Sequence, residues 1–202
     1  MGPLVIIGSG MAAYLLAKAW RAQESTRECI LVTESQGEYY SKPMLSTALT
    51  KEQSAADLVM STAEQMAESL SATILTETTV TRVCCESRRI WAGDQVIGYG
   101  QLVFATGAQP MSLSLSQAVA ERTYSVNHLA DYAAFREAIA GAKRIGIVGS
   151  GLVGCEFMND LLNTDHQVSV FSFEATPLAQ LLPPALGQAF ASRFSELGVG
   201  WH

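Results

Sequence analysis

A glycine-rich fingerprint that occurs twice is the strongest constraint on how this chain folds. In LVIIGSGMAA an apolar run leads to Gly8, and in RIGIVGSGLVG a similar run leads to Gly149. In each copy a buried strand passes through a tight turn into a helix. The first glycine makes the turn, the second lets the backbone approach a pyrophosphate, and a small third residue allows close helix packing. One copy can be a structural turn, but two copies imply two dinucleotides, most simply one flavin and one nicotinamide.

The hydrophobic pattern predicts an α/β fold with two Rossmann-like dinucleotide-binding domains, in a three-layer arrangement. In the first domain we expect strands at 3–8 and 29–33 around a helix at 11–22. Residues 43–70 are predicted to be helical in two or three pieces. The pattern then changes to short β-like runs separated by turn residues, which predicts a small β-meander over 73–104.

Local signals refine this order of elements. Ser61 is the predicted N-cap of the last helical piece before the meander, with Glu64 as its capping-box partner. In the second domain we expect a short strand near Tyr124 and a helix at 129–140 before the second fingerprint. The elements expected after it are a helix at 151–162, a strand at 168–172 and a helix from 183 to 198.

These elements divide the chain into a flavin-binding domain at 1–112 and a nicotinamide-binding domain at 113–202. The last five residues, GVGWH, look like the start of a strand, and no later segment completes the second sheet. We therefore expect the second domain to be incomplete and the chain to be a piece of a longer protein. The alternative is a complete and unusually small protein.

Composition narrows the class of partner. A formal net charge of −6 argues against nucleic acid or an anionic membrane surface. No apolar run approaches the roughly 18 residues that cross a bilayer. The N-terminal apolar run enters the fingerprint without a preceding basic region, so the expected location is the cytoplasm. The four cysteines form no CxxC pair and no metal-ligand spacing, so neither a disulfide framework nor a metal site is predicted.

An acid at the end of the second strand of each domain is expected to accept hydrogen bonds from an adenosine ribose. In the first domain this acid is Glu34, and in the second the nearest is Glu174, whose register is open. A solvated strand-end carboxylate is the alternative for Glu34. Binding a 2′-phosphate needs Arg or Lys near that strand end, and the chain has neither between Arg144 and Arg193. NAD is therefore predicted in preference to NADP.

The segment YYSKPMLSTAL, which begins at Tyr39, is unusual for a plain loop. Together with VIIGSGMAAYLLAKAWR, LVFATGAQP, VNHLADYAAFREAIA and IVGSGLVGCEFMNDLL, it resembles the flavin-dependent NADH:rubredoxin reductases. These belong to the FAD-dependent pyridine nucleotide-disulfide oxidoreductase-like superfamily. The resembling segments span nearly the whole chain in the family's order. The resemblance implies the N-terminal half of such a reductase, with FAD and NAD as cofactors.

The resemblance also implies, position by position, which residues meet each cofactor. The FAD pyrophosphate and ribose would contact the first fingerprint and the acid after it. The backbone at Val80, where a strand begins, would meet the adenine. The flavin ring would lie beside the SKP and ATG segments, and NADH would lie on the second fingerprint. The expected FAD residues are Gly8, Ser9, Gly10, Met11, Ala12, Glu34, Ser41, Lys42, Pro43, Val80, Thr106 and Gly107, and the expected NAD residues are Gly149, Gly151, Leu152, Val153, Gly154, Glu156 and Glu174.

Two of these residues are predicted to be catalytic. The resemblance places Lys42 beside the flavin, and it places Glu156 where related reductases have an acid that faces both the flavin and the nicotinamide. A lysine near flavin N5 would stabilise the anion that forms as hydride arrives, and a carboxylate would orient the lysine. We hypothesise a Lys42–Glu156 ion pair; ordinary surface charges are the alternative.

A missing motif bears on the electron acceptor. Related dithiol reductases place a CxxxxC motif after the first fingerprint helix, but residues 41–49 contain no cysteine. Electrons would then leave singly to an external carrier or go to oxygen. The leading hypothesis is a reductase that passes hydride from NADH to FAD and single electrons to rubredoxin, for example to supply an alkane hydroxylase. The alternatives are an NADH:ferredoxin or NADH oxidase-type reductase, and a truncated nucleotide-binding module without turnover.

Overall fold

The computed structural model describes residues 2–24, 26–111 and 113–202. The chain divides into two compact units, which we call unit 1 (Met1–Lys42 and Val59–Ser112) and unit 2 (Pro43–Leu58 and Leu113–His202). The boundary predicted at residue 112 falls on Ser112, which lies outside the described residues. The assignment of one cofactor to each domain stays a prediction.

Unit 1 contains a parallel sheet, two α-helices and an antiparallel meander. Its elements are β1 (Leu4–Ile7), α1 (Met11–Gln23), β2 (Cys29–Val32), α2 (Ala63–Leu70), β3 (Thr73–Leu75), β4 (Val80–Cys84), β5 (Arg89–Ala92), β6 (Gln95–Gly98) and β7 (Gln101–Phe104). The parallel sheet has the strand order β3-β2-β1-β7, and the meander has the order β4-β5-β6. Since β1 pairs in parallel with both β2 and β7, the carboxyl ends of these strands lie at one edge.

The sheet of unit 1 is covered on both faces, which explains why β1 and β2 are apolar at every position. On one face Ile6 packs with Tyr14 of α1 and Met66 of α2. On the other face Val5 packs with Ile90 of β5. Helices, sheet and meander thus form the predicted three-layer α/β arrangement.

The meander is shorter than predicted. The strands at the two ends of the 73–104 range, β3 and β7, belong to the parallel sheet, and only β4, β5 and β6 are antiparallel. The N–H groups of Gly100 and Gln101 donate to Pro3 O at 2.8 and 3.3 Å, which directs β7 alongside β1. Apolar strands of three or four residues have the same pattern in either kind of sheet, so the sequence could not separate them.

The predicted cap of α2 is displaced by one residue. Thr62 is the N-cap: its hydroxyl accepts from Gln65 N–H, and the Gln65 side chain accepts from Thr62 N–H. The prediction of Ser61 with Glu64 was therefore wrong. Ser61 instead forms a β-bridge with Tyr39, whose N–H donates to Ser61 O at 2.9 Å. Both hydroxyl residues suit an N-cap by type, and this tertiary pairing decides between them.

Unit 2 contains a second parallel sheet, with strand order β10-β9-β8, and four α-helices among its described residues. Its elements are α3 (Gln117–Ala120), α4 (Leu129–Ile139), β8 (Arg144–Val148), α5 (Leu152–Leu162), β9 (Gln167–Phe171), α6 (Pro184–Glu196) and β10 (Gly200–Trp201). Unit 2 also contains the 3₁₀ helix Ala56–Leu58 and all but the first residue of the 3₁₀ helix Lys42–Ser46. The predicted elements from 129 onward are confirmed within one or two residues. The strand predicted near Tyr124 was wrong: within described residues 113–128, Tyr124 lies in an exposed loop with no strand beside it.

Side chains of unit 2 fix the segment Pro43–Leu58. The Asp160 carboxylate on α5, only 3% exposed, accepts the N–H groups of Leu49 and Thr50 at 2.8 and 2.9 Å. The Tyr132 hydroxyl on α4 donates to Gln53 O at 2.9 Å. These contacts join residues far apart in sequence, so local patterns could not place the segment with unit 2.

Two further properties bear on function. Among the residues that the structure describes, no helix has the length and apolar character needed to cross a bilayer. Within the same residues, no three His, Cys, Asp or Glu side chains form a group that could hold a metal ion.

Candidate nucleotide-binding sites

The first fingerprint forms a turn that accepts only glycine at its first position. Gly8 has a φ of 112°, and its N–H donates to Val32 O at 2.8 Å, where β2 ends. A Cβ at Gly8 would also overlap the carbonyl oxygen of Ala105, which follows β7. The residues at the ends of β2 and β7 therefore leave no room for a side chain at Gly8.

The helix behind this turn begins with unused backbone donors. Gly10 is the N-cap of α1, and no described side chain forms a capping hydrogen bond there. No described atom would lie within 4 Å of a Cβ at Gly10. The backbone at Met11 and Ala12 thus starts a helix at an open N-terminus, where N–H groups and the helix dipole bind phosphate.

Ser9, predicted to contact FAD, uses its side chain inside the fold. It is 6% exposed, and its hydroxyl donates to Thr33 Oγ1 at 2.9 Å and lies 3.4 Å from Ser35 Oγ. These contacts tie the turn to the segment that follows β2. The backbone of Ser9 is the part that could meet a ligand.

The other residues predicted to contact the adenosine and flavin lie along the same edge of the sheet. Glu34 is exposed and lies two residues after β2. Thr106 and Gly107 are exposed and follow β7, and Gly107 has a φ of 72°. Val80 begins β4 after a turn whose N–H groups donate to carbonyls that follow β2. Because β1, β2 and β7 are parallel, the structure brings these segments to the edge that carries the first fingerprint.

Tyr14 fixes α1 to the loop that follows Glu34. The ring is fully buried, and its hydroxyl donates to Gly37 O. Burial, reinforced by the charges of Glu38 and Glu64, raises the pKa of Tyr14 to about 12. The hydroxyl therefore remains a neutral donor at any physiological pH.

The SKP segment lies where the chain passes from unit 1 to unit 2. Lys42 is the last residue of the first part of unit 1, and Pro43 is the first residue of unit 2. Both are exposed and begin the 3₁₀ helix Lys42–Ser46, while Ser41 before them is half-buried. The location of this segment beside a flavin ring stays a prediction.

The second fingerprint forms the same kind of turn, but the glycine at which a side chain has no room is a different one. Gly149 has a φ of 101°, and its N–H donates to Phe171 O at 2.8 Å, but no described atom would lie within 4 Å of a Cβ there. The third glycine, Gly154, leaves no room for a side chain, because its Cβ would overlap Gly149 O. Helix α5 thus packs against the turn itself.

The N-terminus of α5 is also open. Gly151 is its N-cap without a capping side chain among the described residues, and no described atom would contact a Cβ there. Leu152 and Val153, in the first turn of α5, are 58% and 60% exposed. Gly151, Leu152 and Val153, three of the residues predicted to meet NAD, thus lie at one accessible helix start.

Ser150 was not predicted from the sequence as part of the site, yet it matches Ser9. It is 4% exposed, and its hydroxyl shares a hydrogen bond of 2.8 Å with Ser172 Oγ, after β9. The available signal was the repeated GSG itself, because both copies carry serine between the two glycines.

Glu174 is exposed on the loop after β9. Its N–H donates to Ser172 Oγ at 3.1 Å, and its carboxylate accepts from Gln180 Nε2 at 3.3 Å. The loop returns to the fingerprint, since Leu178, at a φ of 56°, donates its N–H to Ser150 O at 2.9 Å. A ribose contact by Glu174 stays a prediction.

Glu156, the predicted partner of Lys42, has a partner within unit 2. It is exposed on α5, and its carboxylate accepts the Ser46 hydroxyl at 2.6 Å. Ser46 belongs to the 3₁₀ helix that Lys42 begins. The sequence offered Ser46 only as one of several hydroxyls in the SKPMLS segment. The Lys42–Glu156 ion pair stays a prediction.

The fold and the turns together define the class of protein. It is an α/β protein with two glycine turns at the carboxyl edges of parallel sheets, and each turn leads into a helix whose N-cap is a glycine. The profile of the family described as pyridine nucleotide-disulphide oxidoreductase matches residues 2–202. The chain therefore belongs to this family.

Relatives of this chain carry a more specific name. The Rubredoxin-NAD(+) reductase of Acinetobacter baylyi is 38% identical over 205 residues, which cover 98% of this chain and 52% of the relative. The Rubredoxin-NAD(+) reductase of Alcanivorax borkumensis is 36% identical over 202 residues, which cover 100% of this chain and 53% of the relative. The chain thus spans about half the length of these curated relatives.

A solved structure shows the same fold. The ferredoxin reductase of Rhodopseudomonas palustris superposes with a TM-score of 0.90 at 22% identity, covering 100% of this chain and 50% of that one. This likeness concerns the fold alone, which the two proteins share along the whole of this chain.

Proposed function

We propose that this chain holds FAD in unit 1 and NADH in unit 2 of a reductase that passes electrons from NADH to rubredoxin. The observation that carries the proposal is the pair of open helix N-termini, at Gly10 and at Gly151, each behind a glycine with positive φ. Each offers the backbone donors and the empty space that a pyrophosphate needs.

The residues of unit 1 fit FAD. The backbone from Gly8 to Ala12 would donate to its pyrophosphate, and Glu34 would accept hydrogen bonds from its adenosine ribose. The backbone at Val80 would meet the adenine. The residues proposed around the flavin ring are Ser41, Lys42, Thr106 and Gly107 of unit 1, together with Pro43, the first residue of unit 2.

The residues of unit 2 fit a nicotinamide dinucleotide. The backbone from Gly149 to Val153 would bind its pyrophosphate, and Gly154 lets α5 approach the turn closely enough to present those donors. No Lys or Arg occurs between Arg144 and Arg193 to bind a 2′-phosphate, which supports NADH over NADPH.

Lys42 and Glu156 are the proposed catalytic pair. When bound, FAD would supply the chemistry that links a two-electron hydride donor to a one-electron acceptor. Lys42 would bring positive charge to the flavin, and Glu156 would orient it. The Ser46 hydroxyl already holds the Glu156 carboxylate, which restricts the directions in which Glu156 can accept a second donor.

Rubredoxin is the proposed acceptor because two relatives at 36–38% identity carry that name. The cysteines support an external acceptor. Residues 41–49 contain none, the four in the chain are free, and burial raises the pKa of the Cys155 thiol. Supply of a hydroxylase such as an alkane hydroxylase, and a cytoplasmic location, are the finer parts of this proposal.

The two glycines that cap the helices permit a paired test of the binding sites. A Cβ at either meets open space, so Gly10→Val and Gly151→Val should fold normally while their side chains obstruct the approach of a phosphate. We expect Gly10→Val to lose FAD but keep NADH binding, and Gly151→Val to do the reverse, by calorimetric titration of each variant with each ligand. Loss of both ligands in both variants, or of neither, would contradict the two-site proposal.

The acceptor is tested by steady-state reduction. We expect the FAD-loaded protein with NADH to reduce purified rubredoxin faster than ferredoxin or oxygen, by about tenfold or more in kcat/KM. If ferredoxin or oxygen reacted faster, that acceptor would replace rubredoxin in the proposal, and the proposal of two cofactor sites would stand.

A further inference from the structure

The segments that follow the second strands of the two sheets match residue by residue. The N–H of Gly8 donates to Val32 O and the N–H of Gly149 donates to Phe171 O, both at 2.8 Å. These contacts make the last residues of β2 and β9 equivalent. The match therefore starts at the strand ends.

Two further pairs of hydrogen bonds extend the match. Ser9 bonds Thr33 at 2.9 Å as Ser150 bonds Ser172 at 2.8 Å. The next pair consists of backbone donors to those same hydroxyls: the N–H of Ser35 lies 3.3 Å from Thr33 Oγ1, and that of Glu174 lies 3.1 Å from Ser172 Oγ. Thr33 thus corresponds to Ser172, and Ser35 to Glu174.

The residue between these pairs is Glu34 in unit 1 and Phe173 in unit 2. Phe173 therefore stands at the position where the first copy has the acid proposed to bind the ribose, and Glu174 stands one place later. The Phe173 side chain is fully exposed to solvent. A bare aromatic ring is costly in water, and an aromatic face is a stacking surface for a base.

We infer that Phe173 packs against the adenosine half of the nicotinamide dinucleotide, with its ring stacked on the adenine, in place of the carboxylate proposed for the first copy. This inference rests on the proposed NADH site in unit 2. The loop is held for this role, because Leu178 N–H donates to Ser150 O and Gln180 holds Glu174. The ring adds no charge, so this position supplies no carboxylate to repel a 2′-phosphate.

Substitutions at this position test the inference with NADH as the probe. Because Phe173→Ala removes the ring on which the adenine would stack, it should raise the Kd at least about fivefold. Phe173→Tyr should stay within about twofold of the parent Kd, because it keeps the ring. Phe173→Leu keeps apolar bulk without a ring and should behave like Phe173→Ala.

The matched control is Leu197→Ala. Leu197 is 51% exposed and follows α6, so it lies toward the amino ends of the strands, away from the fingerprint. We expect Leu197→Ala to leave the Kd for NADH unchanged. Equal weakening in Phe173→Ala and Leu197→Ala, or none in either, would overturn the inference.

Saturation-transfer NMR with NAD+ provides a readout that a purely structural role would not move. In the parent protein we expect strong transfer to adenine H2 and H8, and Phe173→Leu should lower it relative to transfer to the nicotinamide protons. An unchanged ratio would overturn the stacking while leaving the NADH site in place. Failure of the parent protein to bind NADH would instead remove the proposed site, and the inference with it.

Charge gives a final check on the equivalence with Glu34. Phe173→Glu would restore the carboxylate of the first copy, so the Kd for NADPH should rise by at least about tenfold more than that for NADH, because the acid repels a 2′-phosphate. An equal change for both ligands would show that position 173 does not face the ribose.

Discussion

The two fingerprint turns are built on the same hydrogen bonds but differ in where a side chain has no room. In the first copy the tight position is Gly8, where a Cβ would overlap Ala105 O after β7. In the second copy a Cβ at Gly149 would meet no described atom within 4 Å, and the position without room is Gly154, where a Cβ would overlap Gly149 O. Ala13 occupies the place of Gly154 in the first copy and is fully buried.

The difference separates packing from ligand binding within one motif. A glycine is required at Gly8 because the returning strand β7 comes close to the turn, and at Gly154 because the helix does. Neither demand comes from a nucleotide. At Gly10 and Gly151 the opposite holds, because no described atom would lie within 4 Å of a Cβ there, and our proposal assigns this space to a pyrophosphate. At the third position α1 has room for the methyl group of Ala13, whereas α5 has no room for a side chain at Gly154.

The largest expected effect comes from adding one methyl group to each first glycine. Gly8→Ala should lower the free energy of unfolding by about 2–6 kcal/mol, since left-handed strain of about 1–3 kcal/mol adds to an overlap of similar cost. Gly149→Ala adds only the strain and should cost about 1–3 kcal/mol. Urea unfolding followed by circular dichroism measures both, and equal losses would contradict the asymmetry.

Alkaline pH should distinguish the units through their buried tyrosines. Burial raises the pKa of Tyr14 to about 12, against about 10 in an unfolded chain. Its contribution, on the order of 2–3 kcal/mol, is complete below pH 10 and is lost as pH rises toward 12. Burial also raises the pKa of Tyr132 in unit 2, but Arg136 opposes the shift.

We therefore expect Tyr14→Phe to remove more of the alkaline loss of stability than Tyr132→Phe. The measurement is the free energy of unfolding at several pH values between about 9 and 12. If both variants kept the full pH dependence of the parent, neither tyrosine would be responsible for it.

Substitutions at the third fingerprint residues, Ala13 and Gly154, test the comparison further. Gly154→Ala should destabilise the protein by about 1–3 kcal/mol because α5 must move from the turn. Ala13→Gly should cost about 1 kcal/mol, the ordinary penalty of glycine inside a helix. Thermal unfolding of the two variants provides the test, and a larger loss for Ala13→Gly would reverse our account of the helix packing.

The smallest effect should come from the serines between the glycines. Ser9 reaches Thr33 and Ser35, whereas Ser150 reaches Ser172. Replacement by Ala should cost about 1–1.5 kcal/mol at Ser9 and about 0.5–1 kcal/mol at Ser150. Denaturant titration beside the exposed helix control Ser195→Ala measures the difference. No loss at either serine would mean that these buried bonds do not hold the turns.

Much of this architecture was predictable because it is local. Each fingerprint encodes a strand, a turn and a helix within about a dozen residues, and the pattern placed α1, α4 and α5 within one or two residues of their observed bounds. The open N-termini at Gly10 and Gly151 also follow from the sequence, since glycine supplies no capping side chain.

The features that the sequence did not predict depend on contacts between distant residues. Asp160 fixes Leu49 and Thr50, and thereby places the Pro43–Leu58 segment in unit 2. No local pattern marks Asp160 as buried. Likewise, the strand-end register that aligns Phe173 with Glu34 emerges only from three pairs of hydrogen bonds. Periodicity finds elements, whereas partners across sheets and helices decide their register.

Anaerobic titration with NADH tests the central claim, that two dinucleotide sites in this protein act together. The protein is loaded with FAD, freed of excess cofactor and followed through the flavin absorption band. We predict a bound flavin band that one equivalent of NADH bleaches, with Gly151→Val slow to bleach and Lys42→Met reduced in rate. A flavin band that is retained but unaffected by NADH in the parent protein would contradict the account.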